Sequence, residues 1–168
     1  IVVHTTAGVA ALVIALMLGK RKGFDKTLLP PHSPALTMVG AGMLWVGWFG
    51  FNGGSALAAG DDAATAILNT HLAASAAALT WILFERFKVG KPTSIGIVTG
   101  AVAGLATITP AAGFIGPVGS IALGFLGGLV CFYAVVLVKT RLKIDDSLDV
   151  FAVHGVGGML GSILFPLF

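Results

Sequence analysis

The sequence contains few charged residues and a single cysteine, and both facts restrict the class of protein to which the chain can belong. Charged residues make up 10% of the 168 residues, whereas a soluble domain usually contains about 25%. A soluble chain with so little charge would lack the polar side chains to cover its surface, and 57% hydrophobic residues is typical of a membrane protein. Because Cys131 is alone, a disulfide framework and a cysteine pair for a metal are both excluded.

Lysine and arginine are absent from most of the chain and are confined to three linkers. All ten lie within 20–26, 86–91 and 139–143, while the linkers around 58–63 and 109–117 contain none. Basic linkers that alternate with non-basic ones follow the positive-inside rule. We therefore expect the three basic linkers to be cytoplasmic at a cell membrane. We expect no nucleic-acid partner, despite the net charge of +3.

Long apolar segments lie between these linkers. Each is close to the roughly 20 residues that a helix needs to cross a bilayer, and none shows the period-two alternation of barrel strands. The sequence therefore predicts an all-α, polytopic membrane helix bundle that forms one transmembrane domain over 1–168. Its six segments are predicted at about 1–19, 35–58, 63–84, 93–110, 117–138 and 148–168. Since Ile1 and Phe168 both lie within apolar runs, we expect both ends to be truncated.

Glycine is abundant, with 24 residues, and many of the glycines are four residues apart. Spacing of four places small residues on one helix face and lets helix backbones approach closely. This pattern predicts a compact bundle with little free volume. The spaced glycines are Gly96, Gly100 and Gly104, then Gly124 and Gly128, then Gly157 and Gly161.

Two histidines lie in apolar segments and share a local motif. His4 lies in "VVHTTAG" (2–8) and His154 in "VFAVHGVGG" (150–158), with Val-His-x-x-small-Gly in common. The charge rule makes the first and sixth segments run in opposite directions, as in an inverted repeat, and transporters place their sites between such repeats. For an isolated histidine in such a segment, a structural role in the core, with a hydrogen bond to a backbone carbonyl, would be as good an interpretation as a functional role.

A meeting of the two rings is not settled by the sequence. His4 lies sixteen residues from Lys20, or roughly 24 Å in a helix, whereas His154 is only a few turns from the inner face. The rings meet only if the first helix projects past that face or if one helix tilts. Two neutral rings, each with one donor and one acceptor nitrogen, would suit a small neutral molecule or a substrate that loses a proton on entering.

The second segment is rich in aromatic residues between glycines. It reads "LWVGWFGFNGGSALA" over 44–58. We expect packing or interfacial roles for Trp45 and Phe49, although aromatic faces can also hold a cation.

Four stretches together resemble the ammonium transporter family, Amt/Mep/Rh. They are "VVHTTAG" (2–8), "GWFGFNGGSALAA" (47–59), "GLATITPAAGFIGP" (104–117) and "DVFAVHGVGG" (149–158). The resemblance covers essentially the whole chain, from the middle of the family's fifth transmembrane helix into its tenth. It implies part of an eleven-helix, inverted-repeat ammonium transporter fold with one pore per subunit. The N-terminal half, the eleventh helix and the tail of that fold have no counterpart here.

The resemblance also assigns roles to individual residues. His4 and His154 match the family's twin pore histidines. Phe51 matches the inner of two stacked phenylalanines that gate the outer end of the pore. Ser55 matches a serine that helps to bind the cation in the outer vestibule.

Further residues are assigned by the same resemblance or by their position. Leu44 and Val150 fall where apolar pore-wall residues are expected. Asp149 matches a structural acidic residue at the start of the tenth helix, and its position predicts an N-cap. We expect His32 to be a surface residue and His71 to have a packing or outer-face role.

The function implied is transport of ammonium or ammonia, with ammonium deprotonated before it crosses. No enzymatic activity, catalytic residue, cofactor or metal site is expected. The lipid bilayer, a homotrimer and a cytoplasmic nitrogen-regulatory signal protein are the implied partners. The alternatives are a haem-binding electron-transfer protein with two axial histidines, for which no segment supplies an arginine to pair with a propionate, and a structural scaffold, which leaves the paired motif unexplained.

Overall fold

The structure is a computed structural model that describes residues 2–24, 26–27 and 30–168. Within these ranges the chain is helical and contains no β-strand. Short linkers join six α-helices: α1 His4–Leu18, α2 Pro34–Gly54, α3 Asp61–Lys88, α4 Ser94–Ile108, α5 Pro117–Val136 and α6 Val156–Leu164. A π-helical turn, Leu137–Arg141, extends α5, and another, Phe151–Gly155, precedes α6. A short 3₁₀ turn, Phe165–Leu167, follows α6.

The helices are those of a membrane bundle, as predicted. Among the described residues, three are long and apolar enough to cross a membrane: α2, α3, and α5 with its π-helical turn. The helices over His4–Leu18, Ser94–Ile108 and Phe151–Leu167 are apolar but shorter. Each of the six predicted segments overlaps one of these helices, and the crossing of the bilayer by all six stays a prediction.

Local sequence signals explain where the helices begin. Ser33 accepts a hydrogen bond from the N–H of Leu36 and precedes Pro34 at the first position of α2. Thr93 accepts a hydrogen bond from the N–H of Gly96 at the start of α4. Hydroxyl caps of this kind satisfy backbone donors that a helix leaves unpaired at its first turn.

Small residues let α3, α4 and α5 pack with their backbones close together. Ala73 and Ala77 of α3 are fully buried. A Cβ atom at Gly104 of α4 would lie 2.7 Å from the Cβ of Ala77, and one at Gly124 of α5 would lie 2.6 Å from the Cα of Ala73. No real Cβ atom tolerates such distances, so glycine is required at both positions.

A second close contact joins α1 to the last helix. Gly8 of α1 faces Gly155, and a Cβ atom on Gly155 would lie 3.3 Å from the Cα of Gly8. A Cβ atom on Gly158 would lie 2.8 Å from the Cβ of His4. The glycines of the two histidine motifs therefore hold the two histidine-bearing segments against each other.

We predict that Gly104→Ala destabilises the bundle by about 1–3 kcal/mol, because the added methyl group overpacks the contact with α3. Gly40→Ala is the matched control, since Gly40 is also helical but a Cβ atom there meets nothing within 4 Å. Thermal unfolding in detergent should show a lower Tm for Gly104→Ala only. An equal change in both variants would contradict this account of the packing.

Candidate functional site

The structure brings His4 and His154 together. Their ring centroids are 5.6 Å apart, and the ring planes are inclined by 38°. His4 is the first residue of α1, and His154 lies in the π-helical turn before α6. Gly8 lies one turn after His4, and Gly155 directly follows His154. Because these two glycines are in contact, the two histidine rings lie at the same height along the bundle.

Trp48 of α2 covers both histidine rings. Its ring lies 5.1 Å from that of His4, with the planes inclined by 23°, and 6.2 Å from that of His154, with the planes inclined by 17°. Because both imidazoles are nearly parallel to one indole, they lie side by side rather than face to face. Trp48 is buried, with 6% of its surface exposed.

Thr109 fixes the polar atoms of this cluster. Its hydroxyl donates to the carbonyl of Leu105 at 2.7 Å and accepts from the Nε1–H of Trp48 at 2.9 Å. The Nε2 atom of His4 lies 3.2 Å from the same oxygen. The Thr109 hydroxyl has one proton, and Leu105 already accepts it. The hydroxyl can therefore only accept a hydrogen bond from His4, so Nε2 of His4 holds a proton. The Nδ1 atom of a neutral ring is then left as an acceptor.

Phe51 and Ser55 lie on the side of the cluster away from His154. The Phe51 ring is 5.8 Å from the His4 ring and 5.9 Å from the Trp48 ring. One turn later, the hydroxyl of Ser55 donates to the carbonyl of Phe51 at 2.8 Å. Phe51 therefore lies directly next to the first histidine, with Ser55 one turn further along α2.

Two cavities reach the histidine pair from opposite sides. The first, of about 550 Å³, is lined by His4, Phe51, Ser55 and Asp62 among others. The second, of about 800 Å³, is lined by His154 and by residues of the basic linkers. Of these two cavities, His4 lines the first and His154 lines the second. The two imidazole rings, which are 5.6 Å apart and covered by Trp48, therefore lie between the cavities as a histidine layer.

The two predicted wall residues lie in different places. Leu44 lines an apolar recess of about 220 Å³ together with His4, Trp48 and Phe51. Val150 lines a recess of about 360 Å³ between α1 and the linker before α6, which contains Ala11 but neither histidine. The structure brings Leu44 to the cluster and leaves Val150 outside it.

The N-cap predicted at Asp149 is supplied instead by Asp146, so that prediction is wrong. The Asp146 carboxylate accepts from the N–H groups of Val150 at 2.9 Å and Phe151 at 2.8 Å. Asp149 has a left-handed backbone, with φ of 57°, and its carboxylate pairs with Lys139 at 2.7 Å. The physical reason is that the Asp149 carboxylate is engaged by Lys139, which leaves the first backbone N–H groups of the helix to Asp146.

An ion pair ties the end of α1 to the linker before the second histidine. Arg21 donates to Asp145 through Nε at 2.8 Å, through Nη2 at 2.7 Å and through its backbone N–H at 2.8 Å. The Asp145 side chain is 1% exposed. The hydrogen bonds and charge of Arg21 hold the pKa of Asp145 below its ordinary value of 3.8.

Sequence reasoning missed Trp48, Thr109 and Asp146 as site residues. Trp48 stood out as aromatic, but only its contact with both rings reveals its position. The two remaining histidines lie outside the cluster. His32 is exposed, and the ring of His71 packs 5.5 Å from that of Trp45.

Comparison with known proteins places this arrangement among membrane transporters. Residues 1–168 match the sequence profile of the Ammonium Transporter Family. The chain is 51% identical over 162 residues to Ammonium transporter Amt1 of Archaeoglobus fulgidus, which covers 96% of this chain and 41% of that protein. It is 52% identical over 167 residues to an ammonium transporter of Aquifex aeolicus, covering 99% of this chain and 39% of that protein.

A solved structure shares the fold. The crystal structure of Saccharomyces cerevisiae Mep2 is similar with a TM-score of 0.90 and 44% identity, over 97% of this chain and 38% of that one. The chain thus spans about two fifths of the length of the curated relatives it matches.

We predict that Thr109→Val lowers stability by about 1–3 kcal/mol, because it leaves the buried Trp48 N–H without an acceptor. Thr99→Val is the control, since the Thr99 hydroxyl donates to the carbonyl of Ile95 and accepts from no other group in the described part of the chain. Thermal unfolding of both variants in detergent measures the difference. A loss no greater in Thr109→Val than in Thr99→Val would contradict the proposed role of this hydroxyl.

The ion pair gives a pH-dependent prediction. Because the folded-state pKa of Asp145 is lowered, its contribution to stability is complete above about pH 4 and is lost as the pH falls through the folded pKa. Asp145→Asn should therefore lower the Tm at pH 7, and the gap from the unchanged protein should shrink as the pH approaches 3. A gap that stays constant over this range would show that the charge of Asp145 is not what stabilises the link.

Proposed function

Since the chain belongs to the Ammonium Transporter Family, we propose that it forms part of a membrane transporter that conducts ammonium through the histidine layer. The observation that carries this proposal is the pair of cavities that meet at His4 and His154. Two cavities separated by a thin layer of imidazole rings suit a small solute that can shed its hydration and its charge.

The first step proposed is recruitment of the cation in the cavity next to Phe51. The Ser55 hydroxyl lines this cavity with an aromatic ring one turn before it. A hydroxyl oxygen and the face of an aromatic ring can both replace part of the hydration of a cation. Phe51 then bars the hydrated ion, because its ring lines this cavity and lies 5.8 Å from the His4 ring.

The second step is loss of a proton before the histidine layer is crossed. Moving an ion of ammonium size from water to a medium of low dielectric costs on the order of 20 kcal/mol before compensation. Ammonium avoids this cost by giving its proton to solvent in the first cavity and crossing as ammonia, whereas potassium has no proton to lose. Selectivity follows from this difference and needs no size filter.

The imidazoles supply the polar groups that ammonia needs on the way. With Nε2 of His4 donating to Thr109, its Nδ1 lone pair can accept a hydrogen bond from ammonia. His154 lies beside it at 5.6 Å between ring centroids. Leu44 contributes to the apolar wall near His4. Val150, one turn before His154, is proposed as wall further toward the second cavity.

A haem-binding electron-transfer protein is not favoured. Two axial histidines would have to face each other across a flat macrocycle. Here both rings are stacked on the same Trp48 ring and lie side by side, so no macrocycle fits between them without removing that tryptophan.

The surroundings of the transporter are proposed on the same basis. All six helices would cross a cell membrane, with the linkers 20–26, 86–91 and 139–143 on the cytoplasmic side, as the distribution of positive charge favours. The cavity next to Ser55 would then open to the outside. We also propose a homotrimer with one pore per subunit and a cytoplasmic nitrogen-regulatory signal protein as partner.

The histidine layer is tested by a double substitution. In the full-length protein that contains this chain, His4→Ala with His154→Ala should lower ammonium flux over potassium flux by about tenfold or more, since loss of polar partners costs about 1–3 kcal/mol each. Fluxes are measured in proteoliposomes. His71→Ala is the control, because His71 lines neither cavity. Unchanged selectivity in the double variant would show that the histidines play no part.

A further inference from the structure

We propose that Asp62 is an electrostatic recruitment residue that raises the cation concentration in the first cavity. This inference rests on the proposed function and adds a residue to it. Asp62 lies in the first turn of α3 and lines the cavity that also contains Ser55, Phe51 and His4. It is the one Asp, Glu, Lys or Arg among the described residues that line this cavity.

The Asp62 carboxylate is available to a solute. Asp62 is exposed, and within the described part of the chain no hydrogen bond or ion pair occupies its side chain. The acidic groups near the second cavity behave differently, because Asp145 is held by Arg21 and Asp149 by Lys139. Among the described residues that line the two cavities, Asp62 has the one carboxylate without an ion-pair partner.

The two cavities therefore differ in unpaired charge. The cations Arg21 and Lys139 of the second cavity are each held in an ion pair with a carboxylate. A concave mouth lined by charge of one sign and walled by apolar atoms concentrates ions of the opposite sign. Cations are drawn to the mouth at Asp62 in preference to the other mouth, ahead of any selection by the histidine layer.

Comparison with the neighbouring Asp61 distinguishes cation recruitment from stabilisation of the helix. Asp61 lies in the same first turn, is also exposed, and makes the same kind of favourable interaction with the N-terminus of α3. Asp61 does not line the cavity. A role in stabilising the helix would be shared by both carboxylates, whereas recruitment into the cavity belongs to Asp62.

The test compares Asp62→Asn with Asp61→Asn in the full-length protein in liposomes. Initial ammonium uptake is measured against ammonium concentration at about 0.01 M ionic strength, where charges act over about 30 Å, and at about 0.3 M, where they are screened within a few ångströms. N-methyl-D-glucamine chloride supplies the salt. Asp62→Asn should raise the half-saturating concentration about threefold or more at low ionic strength, with little change in maximal rate.

Each outcome decides the inference. At high ionic strength the Asp62→Asn curve should coincide with that of the unchanged protein, and Asp62→Glu should restore the low half-saturating concentration. An effect of equal size in Asp61→Asn, an effect that salt does not remove, or a loss confined to the maximal rate would overturn it. If the unchanged protein takes up no more ammonium than protein-free liposomes, the proposed function fails, and recruitment by Asp62 fails with it.

Discussion

The contact between Gly8 and Gly155 is the constraint on which the rest of the site depends. A side chain at Gly8 would collide with the backbone of Gly155, so α1 and the last helix can approach this closely only without one. Backbone contact of this kind is how membrane helices associate when no hydrophobic force drives them together. It sets the two histidine rings side by side, and every other feature of the cluster is built around that pair.

Polar groups in an apolar layer must be paired, and this requirement explains the surrounding network. Trp48 covers both rings, and its N–H would be costly to bury if the Thr109 hydroxyl did not accept it. The same hydroxyl determines which nitrogen of His4 holds the proton. A single threonine thus links the end of α4 to α2 and α1. Its hydrogen bonds also determine which ring nitrogens in the cluster act as donors and which as acceptors.

The sequence was most informative where its signal is local or repeated. Charge distribution and apolar length predicted a membrane helix bundle, and the Val-His-x-x-small-Gly repeat predicted that the histidines are a pair. It left open whether the rings meet, because the depth of each helix depends on where glycines on separate segments touch. The cap at Asp149 was mispredicted because the Asp149 carboxylate pairs with Lys139, a residue distant in sequence, and Asp146 caps the helix instead. Thr109 carried no signal, since its importance arises only where three helices converge.

The central claim is that this arrangement conducts ammonium and rejects potassium. It is tested most directly with the full-length protein in liposomes, by recording uptake after a jump of ammonium or of potassium outside. Mildly acidic pH keeps free ammonia scarce and its passage through lipid slow. The account predicts ammonium uptake well above that of protein-free liposomes and no potassium uptake above the same background. Equal uptake of both cations, or none of either, would contradict it.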